Sequence, residues 1–313
     1  MRVGAKAGTA HAPSTLQGLT ESVDPSNVPI VHLTPKSLVL DLLSTAPQRA
    51  MRVGALLAAG ELFGISANNV RVTLARLRAV GMVDQDERGL YRLAAGAEPV
   101  GKQVTTWRDV EERVRPWDGG WIGVHTAAVQ RSERRAHRHG DRALRFLGFE
   151  RFDAGLHLRP DNLVGGVETV RQHLHELGLD RKAMVFRISD LDPHADQRAR
   201  RLWDTAALRS GYRTSLAALT KSARRLAALP SDEALVESFV LGGRVIRQLV
   251  LDPLLPEPLI PADERRALVE AMCRYDRAGR ARWAAFLTHA VAEPTAVRAR
   301  RVPSTRTKQG VAA

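Results

Sequence analysis

The sequence predicts an α+β chain of several domains: a small helical unit ending in a β-hairpin, a middle domain of alternating strands and helices, and a C-terminal helical bundle. Three observations carry this. Between Ile65 and Leu93, helical periodicity runs directly into two short alternating runs joined by a polar turn. From about residue 117 to 191, strand-like and helix-like segments take turns, and from Pro193 onward the periodicity is almost wholly helical.

The first unit is the most informative. Ser66 is a suitable N-cap, because its hydroxyl can accept from a free backbone N–H of the first turn, and Gly81 supplies the permissive residue that a helix end prefers. Between them Val70, Leu74, Leu77 and Val80 recur at helical spacing and predict a buried stripe, with Asn68, Asn69, Arg71, Thr73 and Arg76 mostly off it. Met82 to Asp84 and Leu90 to Leu93 then read as a hairpin around Gln85-Asp86-Glu87-Arg88-Gly89. Upstream, Thr34-Pro35 opens a helix with Leu38, Val39, Leu42 and Leu43 on its apolar face, broken at Pro47. Val53, Leu56, Leu57, Leu62 and Phe63 mark a second helix that stops near Gly64. Three helices followed by such a hairpin make a winged helix-turn-helix domain over 33–95.

The exposed groups of the third helix are amides, a hydroxyl and guanidiniums. These pair with base edges and phosphates in a major groove: Arg with guanine, Asn with adenine, hydroxyls with either. Asn68, Asn69, Arg71, Thr73 and Arg76 are therefore expected to contact DNA, with Arg88 and Arg92 on the wing touching flanking backbone. The charge balance supports the same partner: 313 residues carry a formal +13, with a sequence pI near 10.9, a field that attracts polyanions.

Outside this unit, residues 1–32 lack periodicity and are expected to form a disordered extension, and 96–116 a linker with a short charged helix. In 117–191, Ile122 to Ala127 reads as a strand and Arg131 to Leu147 as a helix. Phe149 to Asp153 and Leu156 to Arg159 then pair across Ala154-Gly155, Asn162 to Leu177 is a second helix, and Ala183 to Ile188 a last strand. The order β-α-β-β-α-β is that of a ferredoxin-like domain. Helices are expected in 192–290 at Ala195 to Ser210, Ser215 to Leu229, Asp232 to Leu251, Asp263 to Arg274 and Ala278 to His289. The Pro-rich run Asp252 to Pro261 cannot remain helical and reads as a shaped connector. Residues 291–313 form a basic tail, expected to be disordered.

Several function classes are disfavoured. Cys273 is the only cysteine, which excludes an intramolecular disulfide or a cysteine-cluster metal site and fits a reducing cytoplasm. The lack of an apolar run of spanning length and of a secretory h-region predicts a soluble cytoplasmic protein without membrane contact. His137 with His139, and His173 with His175, stand two apart on helices, so their rings point to different faces and no metal site is expected. The first strand of the middle domain carries no Asp that could hold a divalent ion for nuclease chemistry. There is no GxSxG elbow, P-loop lysine motif or GxGxxG turn, so the expectation is no catalytic residue, no enzyme and no cofactor.

Four stretches in order give the chain a resemblance to a family. They are LTPKSLVLDLLST with ISANNVRVTLARLRAVGMVDQDERGLYRL; WDGGWIGV with LRFLGF and GLHLRP; RLWDTAALRSGYRTSLAAL; and LVLDPLLPEPLIP. Over about 33–289 the chain resembles the PaaX-like transcriptional regulators, named for the repressor of bacterial phenylacetate degradation. The resemblance implies a winged-helix domain, a ferredoxin-like middle domain and a helical effector domain. It also implies a homodimeric repressor released from operator DNA by an acyl-CoA thioester, typically phenylacetyl-CoA.

Within the C-terminal half a bundle can leave an apolar slot for such an effector. Arg213, Arg244 and Arg247 are the expected partners of its phosphates, with Trp203 and Tyr212 available to stack on a ring. The expected function is a repressor of a catabolic operon whose effector binds the DNA-free form more tightly. The alternatives are a nucleic-acid-processing enzyme built on the middle domain and an architectural nucleic-acid-binding protein without a ligand switch.

Overall fold

A computed structural model describes residues 33–46, 50–86, 88–94, 106–126 and 134–292. The expected extension 1–32, the first half of the expected linker (96–105) and nearly all of the tail lie outside the described residues. Nine α-helices and two antiparallel sheets make up the described α+β chain.

Three helices and three short strands form the first unit. Helix α1 (Pro35–Thr45) is closed at its start by a reciprocal cap: Ser37 N–H donates to the Thr34 hydroxyl at 3.1 Å, and Thr34 N–H to the Ser37 hydroxyl at 3.0 Å. Strand β1 (Ala50–Arg52) follows, then α2 (Val53–Leu62), α3 (Ala67–Ala79), β2 (Val83–Gln85) and β3 (Leu90–Leu93). The sheet order is β1-β3-β2, with Met51 opposite Tyr91 and Asp84 opposite Arg92. Leu38, Leu43, Leu56, Val70, Leu74, Leu77, Met82 and Val83 form its core. Helices α2 and α3 approach so closely at Gly60 that a Cβ there would stand 2.7 Å from the Val70 side chain. Strand β1 is absent from the sequence reading: three residues are too few to show alternation, and its partner lies some forty positions away.

After a 3-10 helix (Thr106–Arg113) that buries Trp107 and Val110, the middle of the chain builds a four-stranded sheet. Its elements run β4 (Trp121–His125), α4 (Arg134–Phe146), β5 (Glu150–Asp153), β6 (Leu156–Pro160), α5 (Gly166–Glu176) and β7 (Met184–Ile188). The strands are ordered β5-β6-β4-β7 and every neighbouring pair is antiparallel. Ion pairs fix the turn before β4. Asp161 receives Arg115 at 2.9 Å and Arg187 at 2.8 Å, and Arg187 also reaches Asp118 at 2.6 Å. Gly120 is small because a Cβ would meet the Arg187 guanidinium at 2.7 Å.

Four helices complete the chain: α6 (Pro193–Arg200), α7 (Thr205–Arg225), α8 (Ser231–Val250) and α9 (Asp263–Ala292). Two expected boundaries need correction. The first break falls at 201–204, because Trp203 turns inward, stacks on Trp121 at 6.2 Å and donates to the Gly148 carbonyl, while Asp204 caps the next helix through Ala207 N–H. The expected interruption after Arg274 is absent, since Tyr275 is buried against the other helices and α9 runs on through Gly279.

The Pro-rich connector is a buried strap. Arg159, 1% exposed, donates to the carbonyls of Leu147, Pro160 and Pro253 and to the Asn162 side chain, and Asn162 in turn donates to the Leu254 carbonyl at 2.7 Å. The middle sheet and the C-terminal helices thereby share one continuous hydrophobic core.

Candidate nucleic-acid interface and the cavity behind it

Helix α3 begins at Ser66, whose hydroxyl accepts from Asn69 N–H at 3.3 Å. Val70, Leu74 and Leu77 are buried as the periodicity requires. Val80 is not: it is 68% exposed, contrary to expectation. It is the C-cap, at φ −96° and ψ 9°, so it has left the helical screw. Gly81, at φ +68°, then closes the end with its N–H on Arg78 O and the Met82 N–H on Leu77 O. Met82 takes the buried place that the stripe assigned to Val80.

Opposite the stripe, Asn68, Asn69, Arg71 and Arg76 are exposed and Thr73 on the flank is half-buried. Neither Arg71 nor Arg76 has a hydrogen bond or ion pair among the described residues. Val72, 39% exposed, lies near the centre of the same face. It was not among the residues expected from sequence, yet a small apolar side chain between guanidiniums suits contact with a thymine methyl.

The hairpin is fastened to this helix. Arg78 donates to the Gln85 side chain at 2.7 Å, and the Tyr91 hydroxyl donates to the same oxygen at 2.9 Å. Asp86 accepts from Arg88 N–H and Leu90 N–H, which shapes the tip and leaves the Arg88 side chain exposed. Arg92 stands on β3, 3.9 Å from Asp86, a loose pair that leaves its charge only partly offset. Arg78, Gln85 and Tyr91 escaped the sequence reading because their role is to position the hairpin.

Behind α1 and α2 the unit docks on the C-terminal helices. Phe63 stacks on Trp283 at 6.3 Å and tilts against Phe239 at 5.3 Å. Beside this aromatic contact lies a cavity of about 730 Å³, walled on one side by α1, β1 and α2 and on the other by the 3-10 helix, α8 and α9. Its surface is mostly apolar, with Met51, Phe239, Ile246, Met272 and Leu287 contributing. Among the described residues two buried polar atoms of its wall have no hydrogen-bond partner, Arg247 Nε and Trp283 Nε1, and Asp41 belongs to the same lining. Burial among protein atoms pushes Asp41 up to about 6, only partly opposed by the positive field of Arg247. Its side chain remains half-buried because the cavity itself reaches it. At the rim, Asp276 is shared by Arg108 at 2.6 Å and Arg280 at 3.0 Å.

The five residues expected to touch an effector are not brought together. Arg247 lines the cavity. Trp203 is core, and Tyr212 is buried with its hydroxyl on Asp252 at 2.5 Å. Arg213 is exposed beside Glu264 at 3.9 Å, and Arg244, with a buried unpartnered Nε, is not part of the cavity wall. Among the described residues no three His, Cys, Asp or Glu side chains are grouped to hold a metal, and no helix is long and apolar enough to cross a membrane. His175 Nδ1 instead meets the Leu179 carbonyl at 3.2 Å.

Residues 203–286 match the family described as the PaaX-like protein C-terminal domain. Among solved structures the chain is similar to the uncharacterized protein Rv0674 from Mycobacterium tuberculosis. The two are 23% identical, with 80% of this chain and 98% of that one covered at a TM-score of 0.55, a likeness of fold. No curated protein matches the chain.

Proposed function

We propose that this chain, which carries a PaaX-like C-terminal domain at residues 203–286, is a DNA-binding transcriptional regulator. Its first unit is read as a winged helix-turn-helix and its middle unit as ferredoxin-like, supported by the β1-β3-β2 and β5-β6-β4-β7 strand orders. One observation carries the reading: α3 presents Asn68, Arg71 and Arg76 on an exposed face with no partner for either guanidinium among the described residues, braced by a hairpin through Arg78, Gln85 and Tyr91. Asn68, Asn69, Arg71, Thr73 and Arg76 are assigned to bases and phosphates of the major groove, and Arg88 and Arg92 to the flanking backbone.

In the fuller form of the proposal the protein is a cytoplasmic homodimer that represses a catabolic operon. Its operator is partly palindromic, and an acyl-CoA thioester, phenylacetyl-CoA or a relative, releases it. By linkage such an effector lowers operator affinity by as much as DNA lowers affinity for the effector. The test is fluorescence anisotropy of the full chain on duplex DNA preceding its own gene, titrated with salt. The expected result is a linear fall of log affinity with log salt, from phosphate contacts, and an affinity above that for scrambled duplex. Equal affinity for both duplexes at every salt concentration overturns sequence reading.

A further inference from the structure

We infer that the cavity between α1–β1–α2 and α8–α9 is a ligand site for a compact apolar acid or acyl compound, whose oxygens face the Arg247 guanidinium and whose body lies between the two walls. This rests on the regulator reading and adds to it where the signal enters. A volume of about 730 Å³ with apolar walls and a few polar groups is the form of a small-molecule pocket. Buried polar groups in folded chains are ordinarily satisfied, yet among the described residues Arg247 Nε and Trp283 Nε1, on two residues of this wall, have no hydrogen-bond partner, so the guanidinium of Arg247 is not committed to an acceptor within the described chain.

Charge selects the sign of that ligand. Arg52, Arg108, Arg247 and Arg280 belong to the lining against Asp41 and Asp276, so an anionic or acceptor-rich head is favoured. The carboxyl of Asp41, on the wall formed by α1, suits a hydroxyl, an amide or a protonated acid as donor. Room for the body is built into α8. Gly242 and Gly243 stand in the helix interior, where glycine is locally unfavourable, and a Cβ at Gly243 meets no atom within 4 Å.

The walls belong to different parts of the fold. Asp41, Met51 and Arg52 stand on α1 and β1, elements that share the core of the first unit with α3, whereas Ile246, Arg247 and Trp283 belong to the C-terminal helices. A ligand that touches both walls stabilises one seating of the reading unit, which changes operator affinity without contacting DNA.

The experiment uses the full chain and the probe 8-anilinonaphthalene-1-sulfonate, an apolar ring system with an acceptor head. The expected result is saturable dye fluorescence with loss of tryptophan emission, displaced by phenylacetate, by phenylacetyl-CoA or by both, and not by CoA alone. Displacement by phenylacetate shows that the acid suffices; displacement by the thioester alone shows that the acyl group needs its carrier. Gly243→Leu, which fills open space with a better helix former, and Arg247→Gln, which removes the guanidinium, should each weaken dye binding at least tenfold. Wild-type dye binding in both variants, each melting cooperatively, overturns the site; failure of both acyl compounds to displace the dye overturns the ligand class. If dye binding behaves as expected but the chain ignores DNA, the site stands and the regulator reading falls.

Discussion

The arginines of α3 and those of the middle sheet have the same chemistry and opposite employment. Around β6, Arg159 is buried with its hydrogen bonds spent on three carbonyls and an amide, and Arg187 is divided between Asp161 and Asp118. On α3, Arg71 and Arg76 are exposed and have neither a carboxylate nor a carbonyl partner among the described residues. A guanidinium satisfied within the chain holds the fold together. One left open at a face with Asn68 and Val72 is available to a polyanion. Net charge alone does not distinguish these uses; partner geometry does.

The largest effect that would sharpen this contrast is at Arg159. Replacing it with Met leaves the Leu147 and Pro253 carbonyls and the Asn162 side chain without their donor between the sheet and the Pro-rich strap. Urea unfolding should show a loss on the order of 3–5 kcal/mol, the range for removing one member of a buried polar cluster. A loss below about 1 kcal/mol would show that the strap is held by its apolar contacts instead.

Arg71→Ala and Arg76→Ala should do the reverse: leave unfolding nearly unchanged and lower operator affinity by about 1–3 kcal/mol each where the side chain pairs with a base. For either contact made to phosphate alone, the salt slope should fall by about one and scrambled duplex should be affected equally. Arg187→Ala is the matched control, with stability reduced and operator affinity per folded molecule retained. If Arg187→Ala weakens DNA binding as much as Arg71→Ala does, internal pairing is no guide to which arginines meet DNA.

Asp41 gives a third, smaller test through pH. Its carboxyl is raised from 3.8 to about 6, so the folded state holds a proton that the unfolded chain releases. The stabilisation is complete below about pH 4 and lost as pH rises through about 6. Asp41→Asn should therefore flatten the stability profile between those limits and raise stability at neutral pH by on the order of 1–2 kcal/mol, the cavity giving the carboxyl some access to solvent. An unchanged profile would mean that the carboxyl is solvated as freely as in the unfolded chain.

The same contrast explains what was legible in the sequence. Local signals were: Ser66, the Val70-Leu74-Leu77 stripe and Gly81 define α3 within two residues, because caps and periodicity act over one or two turns. Features made by distant partners were not. Strand β1 exists through Tyr91 and Arg92, the α6–α7 break through Trp121 and Gly148, and the role of Arg159 through Pro253. The cavity is the extreme case, since Asp41 and Arg247 come from opposite ends of the described chain. Residue type alone likewise did not reveal that Trp203 packs in the core against Trp121 or that the buried Tyr212 hydroxyl donates to the Asp252 carboxyl.

The smallest expected effect concerns Val80. Periodicity places it on the buried stripe, whereas its cap geometry turns it out and gives its place to Met82. Val80→Lys should change unfolding free energy by no more than about 0.5 kcal/mol, the range for surface substitutions. Met82→Lys, one step past Gly81, should unfold the reading unit by burying a charge. A large loss at Val80 would mean that this valine is covered in the folded molecule in solution, and with it the end of α3 that the docking of Arg76 on DNA requires to be open.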